Sequence, residues 1–270
     1  MLIMEIKLID CKTILSRSRI YGVDYAINPY LGCAHGCLYC YARFMLRHLL
    51  PGLEWGEFVY VKINAPLVLT RETRKTRKGL VLISSVTDPY QPVERRYELT
   101  RKLLEILARR DFPLTILTKS DLVVRDLDIL KKFSDVEVGL TIVTLDEDVR
   151  RVFEPRAPPI KKRLEALSEV KQASLKTYAF LGPLLPIFSE ESLENLFEKF
   201  KEVRVDRIIA DKLNIKAGNW RYIKKGLEKN YPDLLEEFKK RVFDEKYYLM
   251  LKSKIARLAK SYSIPVDFCF

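Results

Sequence analysis

The chain has 270 residues, with 48 lysines and arginines against 36 aspartates and glutamates, for a formal net charge of +12. That length supports one sizeable hydrophobic core, and the charge favours anionic partners such as nucleic acid, although a heavily charged, glutamine-poor thermophilic surface reads the same way. The start, Met1–Lys7, lacks the charged, then apolar, then small order of a secretory leader, the longest apolar stretch, Tyr178–Phe188, is too short and too broken by Gly182, Pro183 and Pro186 to span a bilayer, and Cys11 and Cys269 do not suggest a disulfide framework.

These features lead us to expect a cytoplasmic protein with no membrane association. In chain order, the first twenty or so residues, including Ser16-Arg17-Ser18-Arg19, read as a short strand and an arm. Val23–Asn28 is the first strand of the core, and Cys33–Cys40 the loop that follows it. A helix begins near Leu38, with Phe44, Leu46, Leu49 and Leu50 apolar, and stops at Pro51-Gly52. Glu57–Asn64 alternates and is β-branched, as an additional strand would be. Ala65–Lys78 reads as a helix whose last turns carry Arg71, Arg74, Lys75, Arg77 and Lys78; cations there complement the helix dipole, and phosphate binding is the alternative reading.

From Gly79 the pattern alternates. Strands are expected at Leu80–Ser85, Pro113–Thr118, Val136–Val143, Lys176–Leu181 and Arg207–Asp211. Helices are expected at Glu94–Arg110, Asp121–Phe133 and Ile160–Val170, and from Ser189, where Leu193, Leu196, Phe197, Phe200 and Val203 form an apolar stripe. Strand then helix with short connections argues an α/β fold: a parallel sheet with helices outside, curled by right-handed crossovers into an open barrel. Residues 219–263 differ, being helical, lysine-rich and aromatic, and Pro265–Phe268 is again strand-like. The expected division is an N-terminal arm (1–22), a barrel (23–218) and a helical, basic C-terminal extension (219–270). The extension's Trp220, Tyr222, Tyr231, Phe238, Tyr247 and Tyr248 read as packing residues, with base stacking as the sharper alternative.

Gly32-Cys33-Ala34-His35-Gly36-Cys37-Leu38-Tyr39-Cys40 places three of the five cysteines in one loop at C-x-x-x-C-x-x-C spacing. Thiolates are soft ligands suited to zinc, copper(I) or iron–sulfur clusters. Three sulfurs in a tight turn can take three corners of a four-iron, four-sulfur (4Fe–4S) cube, with no fourth cysteine nearby. One iron then stays open to an outside ligand. A Cys3His zinc site using His35 remains the alternative, although His35 would have to fold back against its neighbours.

With Tyr39 just before the last cysteine, this loop resembles that of the radical S-adenosylmethionine (radical SAM) superfamily. Asn28-Pro29-Tyr30-Leu31-Gly32-Cys33, the tail Tyr41-Ala42-Arg43, and Val86-Thr87-Asp88-Pro89-Tyr90-Gln91-Pro92 with Glu94 are similar to the branch containing spore photoproduct lyase and DNA repair photolyase-like proteins. The resemblance runs from about Asn28 to Asn214. It implies a partial (β/α)6 TIM-like barrel and two cofactors, a 4Fe–4S cluster on Cys33, Cys37 and Cys40, and S-adenosyl-L-methionine. It also implies that the reduced cluster cleaves the sulfonium to a 5'-deoxyadenosyl radical that takes hydrogen from substrate.

Working residues of such barrels gather at the C-terminal ends of strands. Those positions hold Ser85, Thr87 and Asp88, then Lys119 and Ser120, Thr141 and Thr144, Gly182 and Pro183, and Asn214. The resemblance implies that Thr87 and Asp88 lie near the amino group of the cofactor, Lys119 holds its carboxylate, Thr141 its ribose, and the Tyr39 backbone lies by the adenine. Tyr39 and Tyr41 match a catalytic hydrogen relay. Arg125-Asp126 and Glu154-Pro155-Arg156 recur in the branch and read as an ion-paired scaffold, with Arg156 the one residue that could reach an anion.

One departure restrains the substrate: where spore photoproduct lyase has a hydrogen-donating cysteine, this chain has Ser85, a poor donor; Cys269 reads as a buried structural thiol, with folding back to substitute as the alternative. The leading expectation is a radical SAM enzyme of unidentified substrate, with nucleic acid a candidate, drawing electrons from a flavodoxin- or ferredoxin-like donor. An activase that places a radical on a partner protein, and a nucleic-acid-binding module with a structural metal site, are the alternatives. The oligomeric state is not legible.

Overall fold

The computed structural model describes residues 4–48, 52–216 and 218–270. Leu49, Leu50 and Pro51, expected to end the helix after the cysteine loop, lie outside the described residues. The first elements are β1 (Glu5–Ile9), β2 (Leu15–Arg17), β3 (Tyr25–Ile27), β4 (Tyr30–Leu31) and β5 (Phe58–Lys62), followed by α1 (Ala65–Lys75). Then come β6 (Val81–Ile83), α2 (Glu94–Tyr97), α3 (Leu99–Arg110), β7 (Leu114–Thr118), α4 (Leu127–Leu130), β8 (Val136–Thr141), α5 (Glu147–Phe153) and α6 (Ile160–Gln172). The chain continues through β9 (Lys176–Leu184), α7 (Phe188–Val203), β10 (Arg207–Lys212), α8 (Asn219–Asn230), α9 (Leu235–Val242) and α10 (Glu245–Tyr262) to β11 (Val266–Phe268).

Eight strands form one sheet in the order β11-β10-β9-β8-β7-β6-β3-β2. Every neighbouring pair is parallel except β2 against β3. The six strands expected from the pattern therefore stand side by side in sequence order, with helices between them, as the partial (β/α)6 barrel requires. β2 and β11 end the sheet, so the barrel is open, and α8 to α10 make the helical C-terminal region.

Strands such as β8, fully buried from Val138 to Thr141, are apolar because helices cover one face and the barrel interior the other. On α7 the expected stripe is the buried one: Leu193, Leu196, Phe197 and Phe200 are all fully buried. Each contributes roughly 1.5–3 kcal/mol of apolar burial.

The additional strand over Glu57–Asn64 exists, but β5 joins a separate sheet, β1-β5-β4, rather than the barrel. The helix expected over Glu94–Arg110 is two helices, broken at Glu98, whose φ is +48°. The cause is Glu94: it is fully buried and its carboxylate turns back to accept from the Thr100 and Arg101 amides, capping α3 with a side chain from α2. Asp121–Phe133 is likewise not one helix. Asp121–Asp126 is a 3-10 turn entered through Ser120, whose hydroxyl accepts from the Leu122 amide, and only Leu127–Leu130 is α-helical. The expected helix after the cysteines is also 3-10, over Tyr41–His48. α5 escaped the sequence reading, although Asp146 caps it by accepting from the Asp148 and Val149 amides.

Candidate functional site

Gly32 sits at φ +86°, and a Cβ there would lie 2.5 Å from the Phe58 carbonyl oxygen, so the chain can turn into the cysteine loop only with glycine. Gly36 (φ +64°) admits the Arg156 guanidinium, which would stand 2.7 Å from a Cβ. The loop is then tied down from four directions. Gly32 O accepts from the Thr87 hydroxyl (2.6 Å) and Gln91 Nε2, and Ala34 N donates to Gln91 Oε1 (2.8 Å). Leu38 N donates to Phe153 O (2.9 Å), Arg156 N to His35 O (3.3 Å), and Asn219 Nδ2 to Tyr39 O (2.9 Å).

Most of the strings that carried the resemblance are this scaffold. Asn28 Oδ1 accepts from the Ser85 and Val86 amides. Tyr30 donates to Glu94, which pairs with Arg125 at 2.7 Å. Asp126 binds both Arg125 and Arg101, so Arg125-Asp126 is the ion-paired scaffold expected. Glu154 pairs with Arg163, and Arg156 is exposed over Gly36.

Cys33, Cys37 and Cys40 wall one cavity at the C-terminal ends of the parallel strands. The same cavity takes Tyr39 and Tyr41 from the loop, Ser84 to Asp88 after β6, Thr118 and Lys119 from the end of β7, Thr141 from β8, Gly182 and Pro183 from β9, and Asp211 to Asn214 from the end of β10. All nine residues singled out as ligands, cofactor contacts or catalytic groups thus meet at one rim. Ser120 and Thr144 do not: the first caps the 3-10 turn, and the second receives the Asp146 amide. Cys269 does not line the cavity either; it follows β11, where its amide donates to Ala210 O.

Burial pushes the Cys37 thiol up to about 11, the Cys40 thiol up to about 12, and raises Cys33 as well. Ligation as thiolates must therefore release protons. Among the described residues, no three His, Cys, Asp or Glu side chains surround one point closely enough for a single ion. His35, the fourth ligand of the zinc alternative, lies with Nδ1 3.4 Å from Asp88. His35 shares the cavity with the three sulfurs but is turned to Asp88, so no tetrahedron for a single zinc ion is assembled among the described residues, and the three cysteines fit a bulkier group such as a four-iron cluster.

Around the sulfurs the polar groups divide. Burial opposes the Asp88 charge, but His35, the Thr118 hydroxyl (2.6 Å) and the Lys119 amide (2.9 Å) hold its carboxyl well below the usual range. The Tyr39 phenol donates to Glu154, and burial followed by that carboxylate raises it well above its usual value. Glu154 and Arg163 are each 1 % exposed, and Arg163 reaches on to Thr141 O at 3.0 Å. Tyr41 instead donates to Ser85 O, so no hydrogen bond joins the two tyrosines. Lys119 Nζ and the Thr141 hydroxyl take no hydrogen bond among the described residues, and Lys119 lies 5.6 Å from the Tyr39 ring centroid.

The sequence reading missed the hold of the C-terminal helices on the loop. Asn219 is fully buried against Tyr39 O, the Arg43 guanidinium lies 3.7 Å over the Tyr222 ring, and Gly226 lets Leu38 pack where a Cβ would stand 2.5 Å from its Cδ1. Nothing in residue spacing announces these contacts, because they join positions far apart in the chain. The expectation that the extension's aromatics pack holds for Trp220 and Phe238, which stack at 6.5 Å.

A family model for the radical SAM superfamily matches residues 27–200. An uncharacterised protein of Methanocaldococcus jannaschii is 38% identical over 94% of this chain and 96% of its own. A "radical SAM Nalpha-GlyT isomerase" of Pseudomonas phage M6 is 24% identical over 67% of this chain and 38% of its own. A spore photoproduct lyase variant solved with bound AdoMet and dinucleoside spore photoproduct superposes with a TM-score of 0.76 at 16% identity, covering 98% of this chain and 82% of that one. Matched over most of its length by the family model and by a relative of the same size, the chain belongs to the radical SAM superfamily.

Proposed function

We propose that the protein is a radical SAM enzyme that binds one four-iron cluster through Cys33, Cys37 and Cys40, binds S-adenosyl-L-methionine beside it, and acts on a nucleic-acid substrate. Family membership implies both cofactors. The observation that carries the reading is the cavity itself: three cysteines, two buried and one half-buried, share it with a lysine and a threonine hydroxyl that take no hydrogen bond among the described residues.

When bound, the two cofactors supply one-electron cleavage of a sulfonium carbon–sulfur bond, and the protein supplies position and exclusion of water. Lys119 offers a point charge to the carboxylate of the nucleotide, and Thr141 a hydroxyl to its ribose. Asp88 and Thr87 have their side chains committed to β7 and to the cysteine loop, so they fix the segment that meets the amino group. The Tyr39 main chain, held by Asn219, borders the adenine site. Tyr39 and Tyr41 are the candidate hydrogen relay; with separate acceptors, they would act one at a time.

Nucleic acid as substrate is supported by the net charge of +12 and by the dinucleoside held in the similar spore photoproduct lyase structure. A low-potential flavodoxin- or ferredoxin-like protein would deliver the electron. The test is anaerobic reconstitution, reduction with dithionite in the presence of S-adenosyl-L-methionine, and chromatography for 5'-deoxyadenosine. Its formation by wild type supports the enzyme, and its absence from protein carrying four irons refutes it. Faster formation with DNA or RNA supports the substrate class, and indifference to both counts against it.

A further inference from the structure

Arg43 closes the Tyr-Ala-Arg tail of the cysteine loop and is 3 % exposed. Its Nη2 donates to Cys37 O at 3.2 Å, while Nε and Nη1 are buried without a hydrogen-bond partner among the described residues. A guanidinium carries five N–H donors, and burying it with most of them unanswered is costly. The nearby carboxylate does not answer them: Glu54 takes the Tyr222 hydroxyl at 2.8 Å, and Nε and Nη1 of Arg43 stay without a partner among the described residues. The Tyr222 ring covers the guanidinium at 3.7 Å. Burial disfavours its charge, and the groups near enough to favour it are Cys40, the Tyr222 phenol, Cys37 and Glu54, the two cysteines doing so when they are thiolates.

We propose that Arg43 is the fixed counter-charge of the iron–sulfur cluster, its free N–H groups hydrogen-bonding sulfur on the Cys37–Cys40 side and raising the reduction potential, with Tyr222 of α8 holding it flat. The proposal rests on the cluster reading above. Reduction adds negative charge to a site that is already anionic, and both net charge and hydrogen bonds to sulfur set such potentials. α8 thereby becomes part of the redox centre: a helix far along the chain holds the cation that makes the electron easier to accept.

The experiment is a potentiometric titration of the reconstituted protein without S-adenosyl-L-methionine, followed by electron paramagnetic resonance. Arg43→Gln should move the midpoint to more negative potential by at least tenfold in the reduction equilibrium, about 59 mV for one electron. Arg43→Lys, which keeps the charge and loses the planar fork, should recover part of the shift, and Tyr222→Leu should fall between Gln and wild type. In reduced wild type labelled with 15N-arginine, spin-echo modulation from a nearby 15N is expected that weakens in equally labelled Arg43→Lys, which separates Arg43 from Arg156 and Arg163 and tests the contact even if Arg43→Gln fails to hold iron. An unchanged midpoint in fully loaded Arg43→Gln, or no 15N modulation in wild type, overturns the proposal. A wild type that assembles no four-iron cluster overturns the cluster reading along with it.

Discussion

The two ends of the barrel differ in how completely they answer their polar side chains. At the N-terminal end, Arg207 binds Glu137 (2.7 Å) and Asp267 (2.6 Å), and the Tyr178 hydroxyl crosses the barrel to Ile116 O at 3.0 Å. Each group there is answered by another strand. At the C-terminal end, Lys119 Nζ and the Thr141 hydroxyl have no hydrogen-bond partner among the described residues, and Ser84 Oγ, which lines the same cavity, is buried without one. The comparison separates stability from binding: closed networks at one end hold strands in register, and open valences at the other are available to a guest.

Substitutions at the two ends should therefore fail in different assays. The largest effect is expected for Cys33, Cys37 and Cys40 changed together to alanine: iron content after anaerobic reconstitution should fall from about four per chain to background, as expected for a three-thiolate cluster. Retained iron in that variant would break the contrast. Next comes Arg163→Met at the base of the site, which removes the cation paired directly with the buried Glu154 carboxylate. Removing one partner of such a pair costs about 3–5 kcal/mol, measurable as a lower urea midpoint.

Lys119→Ala should spare stability and weaken binding. Losing one charge-assisted contact, about 1.5–3 kcal/mol, should reduce S-adenosyl-L-methionine affinity roughly tenfold to a hundredfold in equilibrium dialysis, with the thermal midpoint little changed. The smallest effect is expected at the other end, where Tyr178→Phe should cost about 1 kcal/mol of stability and leave cofactor affinity untouched. If Lys119→Ala lowered stability while Tyr178→Phe lowered affinity, the division between the ends would be wrong.

The sequence made the sheet legible because alternation and helical stripes report burial directly, and burial decides which strands pair. It made the ligands legible because three cysteines at that spacing, behind Gly32, allow few structures. What it hid are breaks caused by single side chains acting at a distance. Glu94 bends its own helix to cap the next one, and nothing in the periodicity of Glu94–Arg110 shows that. The commitment of Thr87 and Asp88 to scaffold was equally hidden, since a polar residue at a strand end looks the same whether it binds a ligand or a neighbouring loop. Arg43 and Tyr222 meet across nearly the whole chain, and only the fold brings them together.

The most direct test of the account is the electron paramagnetic resonance spectrum of the dithionite-reduced, reconstituted protein before and after adding S-adenosyl-L-methionine. The account predicts a four-iron signal whose g-values shift on addition, because the iron without a protein ligand takes up the nucleotide. A four-iron signal that ignores S-adenosyl-L-methionine, or a silent protein carrying zinc on Cys33, Cys37 and Cys40, would contradict it.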